Sequence, residues 1–233
     1  MMFDPTIDST PDHPYRAVPP VHAFDPEHTR VPYDGQTRMR LSISSGLADA
    51  RIVIDPAARD LVAVECGEGR RPRIRVAAGE VALRWHQSFG DWLHDVLTAG
   101  RDDVAIVLHP AVEWTIAIRG GLSNVDCELA AGAVARIDLA GGCSDVRFDL
   151  PLPSAAVPIA IAGGASHVAV RRPADTGVTV AVGGGLATLR LDDRGFDAIG
   201  GAVRLDAGHV DGGAPHYALS IRGGASDLAI ERR

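Results

Sequence analysis

The sequence predicts an all-β chain wound as a single-stranded, right-handed β-solenoid, carrying one inserted amphipathic helix and a proline-rich N-terminal arm. Three observations lead there. A glycine pair flanked by alternating apolar residues returns in WTIAIRGGLSNVDCEL, ARIDLAGGCSDVRFDL, VPIAIAGGASHVAVRR, VTVAVGGGLATLRLDD and YALSIRGGASDLAIER. Its second glycines, Gly121, Gly142, Gly164, Gly185 and Gly224, are spaced by 21, 22, 21 and 39 residues, and the last interval holds a shortened copy, FDAIGGAVRLDAG. A period in the low twenties with two strands per copy is the pattern of stacked coils.

Residues 1–35 come first and carry seven of the 15 prolines with no apolar period, so an extended or disordered arm is expected. His13, His22 and His28 lie there beside Asp12, Asp25 and Glu27. Their irregular spacing reads as solvated side chains rather than a metal site.

The repeat domain spans residues 36–233. Its phase is already present in MRLSISSGLADARIVID around Gly46, and further alternation follows from Leu61, Arg73 and Val104. Between these runs SFGDWLHDVLTAG places Phe89, Trp92, Leu93, Val96 and Leu97 at helical spacing. Ser88 can cap the start and Gly100 the end, which predicts a helix over 88–100 packed on the repeats.

Alternation assigns the inward face. Before the glycines it comprises Trp114, Ile116 and Ile118, Ala135, Ile137 and Leu139, and the equivalents in later copies. After them it comprises Val125 and Cys127, Val146 and Phe148, Val168 and Val170, Leu189 and Leu191, and Leu228 and Ile230. The glycines themselves read as corners, where a missing Cβ permits positive φ and close approach of the next coil. The small residues two places on, Ser123, Ser144, Ser166, Ala187 and Ser226, are expected to face inward.

Composition narrows the function. Net charge is −7 and all 23 basic residues are arginine. An acidic balance argues against nucleic acid and anionic membrane as partners, and the lack of lysine excludes Schiff-base and P-loop chemistry. Cys66, Cys127 and Cys143 have neither disulfide nor zinc spacing. The N-terminus has no basic start and no apolar run, and no stretch is long enough to span a bilayer, so a cytoplasmic location is expected.

No residue set stands out as catalytic, cofactor-binding or metal-ligating. Asn124, Asp145, His167, Thr188 and Asp227 form an outward column, with Asp126, Arg147 and Arg190 beside it as cross-strand charges. A Ser–His–Asp set can be drawn through Ser144 or Ser166 and is rejected, because those serines are expected to face inward and the histidine outward. Arg70, Arg71, Arg73 and Arg75 make the one basic cluster and the candidate contact for an acidic partner.

The copies IRGGLSNVDCEL, LAGGCSDVRFDL, IAGGASHVAVRR and IRGGASDLAIER resemble those of bacterial putative-adhesin, or toast-rack, β-solenoid domains. The likeness covers roughly residues 36–233 and is strongest after Trp114. It implies an interaction or scaffold module, some relatives of which act in envelope-stress signalling, and it supplies no catalytic residues.

The expected function is therefore a non-enzymatic module that presents a solenoid surface to a protein partner and takes no cofactor. The last copy ends at Arg233, which leaves an uncovered terminal coil to be capped by the arm or paired with a second chain. The alternatives are a self-assembling solenoid like the bactofilins and a carbohydrate-active β-helix enzyme.

Overall fold

A computed structural model describes residues 29–66, 72–85, 104–210 and 213–233. Nineteen strands form two mixed sheets, one of ten and one of nine strands, and neither closes into a barrel. No helix occurs among the described residues. The helix expected over 88–100 lies outside them.

Seven strand pairs, or units, make up most of the chain, six of them joined by a corner within the described residues. They are β2 (Arg38–Ile43) with β3 (Leu47–Ile54), β6 (Glu80–Arg84) with β7 (Val104–Leu108), and β8 (Glu113–Ile118) with β9 (Leu122–Glu128). Then come β10 (Ala133–Leu139) with β11 (Cys143–Asp149), β12 (Ala156–Ile161) with β13 (Ala165–Arg172), and β14 (Gly177–Val182) with β15 (Leu189–Leu191). The last is β18 (His216–Ile221) with β19 (Ala225–Arg232). In each unit the first strand joins the nine-stranded sheet and the second the ten-stranded sheet. Neighbouring units pair parallel and in register, as in Val146↔Val168 and Ile159↔Leu219. A buried apolar layer lies between the sheets, filled by residues such as Ile116, Phe148, Ile159 and Leu228.

The order of the units corrects the expectation of stacking in chain order. The sheet orders β3-β9-β11-β13-β19-β15 and β2-β8-β10-β12-β18-β14 put the last unit between the two that precede it. The C-terminal unit is therefore interior to both sheets. At the opposite end the unit β6–β7 lies outside β2–β3, so the first unit is interior as well.

Antiparallel strands cover both outermost units. β5 (Arg73–Ala77) pairs with β6, β4 (Asp60–Glu65) with β7, and β1 (Arg30–Pro32) with β4. At the other end β17 (Val203–Ala207) pairs with β14 and β16 (Arg194–Phe196) with β15. The shortened copy FDAIGGAVRLDAG contributes to this cap rather than forming a parallel coil. Strand β1 falls within the expected arm; residues 1–28 lie outside the described residues. Three-residue edge strands such as β1 and β16 offer little backbone for pairing with another chain.

One register detail departs from strict alternation. Val134, not Ala135, sits opposite Trp114, because the register shifts between Val134 and Arg136. Trp114 is wholly buried and its indole N–H donates to the His109 carbonyl at 3.0 Å, so its polar edge is satisfied inside the core.

Candidate interaction surfaces

The corners show why glycine occurs in pairs. The backbone of each unit hydrogen-bonds straight through the corner to the next: Cys143 N–H donates to Gly164 O and Ala165 N–H to Gly224 O, both at 3.0 Å. Gly163 N–H likewise donates to Gly141 O at 3.1 Å. A Cβ on the first glycine of a pair would meet that neighbouring backbone, 2.5 Å from Gly142 N for Gly163 and 2.7 Å from Gly164 N for Gly223. The second glycines are looser: a Cβ on Gly164 would lie 3.2 Å from Gly224 O and one on Gly121 3.1 Å from Gly142 O. Of the five corner glycines predicted, Gly185 alone has positive φ. Close approach, not left-handed backbone, is what the Gly121, Gly142, Gly164 and Gly224 corners require.

The left-handed residues come three places later. Asn124, Asp145, His167 and Asp227 have φ between 50° and 53°, and Asp49 in the first unit has 49°. Asparagine, aspartate and histidine tolerate this conformation better than other side-bearing residues. The kink reverses one step of the alternation. Leu122, Cys143, Ala165 and Ala225 point into the core, whereas Ser123, Ser144, Ser166 and Ser226 lie on the outer side. This corrects the expectation of inward serines.

With the serines turned out, the physical ground for setting aside a Ser–His–Asp set changes. Ser166 Oγ lies 3.0 Å from His167 Nδ1, and His167 Nε2 lies 3.4 Å from Asp227. The other neighbour, Asp145, is 3.8 Å from Nδ1. All three ionisable side chains are more than half exposed. Such a ladder is screened by water and has no walls to orient a substrate, so it reads as cross-strand polar pairing. Asn124 extends it by donating to Asp49 at 2.6 Å.

Of the predicted charge column, Arg147 pairs with Asp126 at 3.7 Å, while Arg190 bonds Glu231 instead. The inserted last unit separates β15 from β13 and puts β19, which carries Glu231, beside Arg190, which explains the change of partner. Of the basic cluster, Arg73 and Arg75 lie on β5, at the edge of the nine-stranded sheet, with Arg73 opposite Arg84. Arg70 and Arg71 lie outside the described residues.

A buried ionic cluster escaped the sequence reading. Arg172 occupies the inward position filled by Leu129 and Leu150 in the two preceding units, and all three are fully buried. Its guanidinium donates to Asp192 at 2.6 Å and to Thr176 O at 2.5 Å. Burial pushes Arg172 down from the usual arginine range, and the neighbouring Asp192 charge opposes that shift. Carrying the alternation two residues past Val170 would have revealed an inward arginine.

The outer faces of the two sheets differ in charge. On the ten-stranded sheet, Asp49, Asp126, Glu128, Asp145, Asp227 and Glu231 outnumber Arg51, Arg147 and Arg171 along the five central units. On the nine-stranded sheet, Arg38, Arg40, Arg119, Arg136 and Arg222 outnumber Glu113 and Asp138 along the same five units, and Glu80 of the neighbouring β6 accepts from the Ser42 hydroxyl. That second face has a shallow trough of about 700 Å³ floored by Ala140, Ala160, Ala162 and Ala218. Among the described residues, Leu152 is the single large apolar side chain left exposed, no group of histidine, cysteine and carboxylate side chains is placed to hold a metal ion, and no helix is long and apolar enough to cross a membrane.

Neither a known family model nor a curated protein matches the chain. A solved structure does: a putative cell adhesion protein from Clostridium sporogenes ATCC 15579 has the same fold at a TM-score of 0.56 and 13% identity. The match covers 88% of this chain and 97% of that one, so the two chains are alike in fold along nearly their whole length.

Proposed function

We propose that the seven registered units constitute a β-solenoid whose flat outer faces act as a non-enzymatic interaction module toward a protein partner. The observation that carries this reading is the build of those faces. Serine, alanine and charged side chains recur in columns along a broad sheet, and of the polar groups that could suggest chemistry, His167 and Asp227 stand more than half exposed on it with Ser166 partly buried beside them. Catalysis draws on desolvated, walled sites where electrostatic interactions are strong; recognition by a flat face needs columns of charge and little else. The named adhesion role of the structural neighbour agrees with an interaction module.

Proximity labelling in the native cell, with the full chain as bait, tests the reading. A discrete protein partner, retained on purified protein in a defined one-to-one mixture, supports it. Turnover of a polysaccharide or ester substrate that is lost in His167→Ala would replace it with an enzymatic one.

A further inference from the structure

The trough on the nine-stranded sheet has a recognisable charge geometry. Arg119 and Arg222 occupy equivalent places in their units, just past β8 and β18, with Ala140 and Ala162 in register between them: Ala140 N–H donates to Ile118 O, Ala162 N–H to Leu139 O and Arg222 N–H to Ile161 O. The two arginines are therefore three strand spacings apart, roughly 14 Å at about 4.8 Å per strand. Both are exposed, and among the described residues no carboxylate reaches either. The other arginines of this face are occupied, Arg38 by Glu113, Arg136 by Asp138 and Arg40 by the Ser42 hydroxyl.

We infer that this trough docks an extended acidic segment of a protein partner, lying across the strands with carboxylates four residues apart on Arg119 and Arg222. The inference rests on the interaction-module reading and names the chemistry of its partner. An extended chain advances about 3.4 Å per residue, so side chains at i and i+4 are separated by about the same distance as the two arginines. Planar guanidinium groups receive carboxylates through paired hydrogen bonds, and the alanine floor lets the partner backbone approach closely. The floor has no aromatic platform, which disfavours a nucleobase or a neutral sugar ring. Charge complementarity is specific to this face: the opposite sheet carries an excess of carboxylates, and an acidic segment is repelled there.

The test is fluorescence titration of the full chain with a labelled peptide carrying glutamate at every fourth position in a Gly/Ser background. Binding is expected at 50 mM salt and weakens steeply by 300 mM. The Arg119→Ser/Arg222→Ser double variant is expected to bind roughly tenfold more weakly, and Arg147→Ser, on the opposite face, to bind as the parent does. Absence of binding at low salt, or unchanged binding by the double variant, overturns the inference. So does binding of dextran sulfate without the peptide. Peptide binding that appears only in full chain carrying Asp4→Asn, Asp8→Asn and Asp12→Asn would assign the trough to the chain's own N-terminal segment and equally overturn it. A cellular partner that the double variant still retains would remove the trough while leaving the interaction-module reading intact.

Discussion

Asp192 neutralises Arg172 inside the apolar layer: the two side chains form an ion pair at 2.6 Å, with Arg172 fully buried and the Asp192 carboxylate 8% exposed. Arg232, opposite Arg172 across β13 and β19, reaches the same carboxylate at 3.2 Å. One acid thus holds two arginines contributed by the fifth unit and the inserted last unit. Arg172 Nε and Asp192 Oδ1 remain without hydrogen-bond partners, so the pair is incompletely satisfied.

Removing one member of such a pair leaves a buried charge alone, which costs about 3–5 kcal/mol, whereas replacing the arginine by a residue of matching apolar shape is often neutral. Asp192→Ala is therefore expected to lower the unfolding free energy by about 3–5 kcal/mol. Arg172→Leu, which extends the Leu129 and Leu150 column and leaves Arg232 to pair with Asp192, is expected to stay within about 1 kcal/mol of the parent. Urea unfolding of both variants checks the asymmetry. Equal losses would mean that the arginine contributes packing that leucine cannot supply.

The two glycines of a corner are expected to differ on substitution. A methyl group at Gly163 would overlap the backbone nitrogen of Gly142, and the glycine carbonyls and amides there are already engaged in unit-to-unit hydrogen bonds. Neither side can yield without breaking the ladder. Gly163→Ala is expected to destabilise by about 3 kcal/mol or more, and Gly164→Ala by about 1–2 kcal/mol. Gly200, where a Cβ meets nothing within 4 Å and φ is not positive, is the control. Alanine there should be neutral to within about 0.5 kcal/mol or slightly stabilising. Thermal denaturation of the three variants in parallel decides the ranking.

The parts of this fold written in short-range patterns were legible in the sequence. Alternation around each glycine pair located both arms of every regular unit, and residues such as Ile116, Phe148 and Leu228 are buried where it put them. The stacking order was not legible, because each unit presents nearly the same apolar columns above and below. Tyr217 fits against Val157 on one side and Val178 on the other as well as those two would fit each other, so no local signal says that the last unit inserts between them. The serine column was misread for a different reason. Period-two counting assumes an unbroken pleat, and the left-handed kink at Asp145 or His167 advances the chain by one extra step. The arginines of the trough were visible as residues, but Arg119 and Arg222, 103 positions apart in the chain, come to lie three strand spacings apart in one column only once the unit order is known.

That kink supplies a test of its own. At φ near 50° a β-branched side chain is strongly disfavoured, while asparagine and glycine fit. His167→Asn, which copies Asn124 of the same column, is expected to leave stability within about 0.5 kcal/mol of the parent, the exposed contacts to Asp145 and Asp227 contributing little. His167→Val should cost about 1–3 kcal/mol through backbone strain. Denaturation midpoints at constant slope would separate the two. If His167 mattered for its charge instead, both substitutions would be equally harmful.

Alkaline pH should loosen the core through groups that ionise only with difficulty when folded. Burial pushes the Cys143 thiol up to about 11 and lifts Cys127 further still. The fully buried Tyr217, whose hydroxyl donates to the Pro151 carbonyl at 2.6 Å, is also raised well above the usual phenol range by burial. Each of these groups holds its proton more tightly in the folded chain than in the unfolded one. Their contribution is therefore complete below the unfolded values, near 9 for the thiols and 10 for the phenol, and is lost as pH rises beyond them. The unfolding free energy is expected to be flat from pH 7 to 8.5 and to fall above pH 9, by up to about 1.4 kcal/mol per pH unit for each ionising group, as followed by urea unfolding at each pH. Tyr217→Phe removes one of these groups, so its curve should fall less steeply above pH 10. At pH 7 the same variant should lose about 1–2 kcal/mol, because the Pro151 carbonyl is left without its donor. In the native state Cys127 and Cys143, both buried, should resist thiol reagents at pH 8 and react only on unfolding, leaving the partly exposed Cys66 as the site of native labelling. Modification of Cys143 in folded protein at that pH would show that the corner opens, and would undo the assignment of its side chain to the inner face.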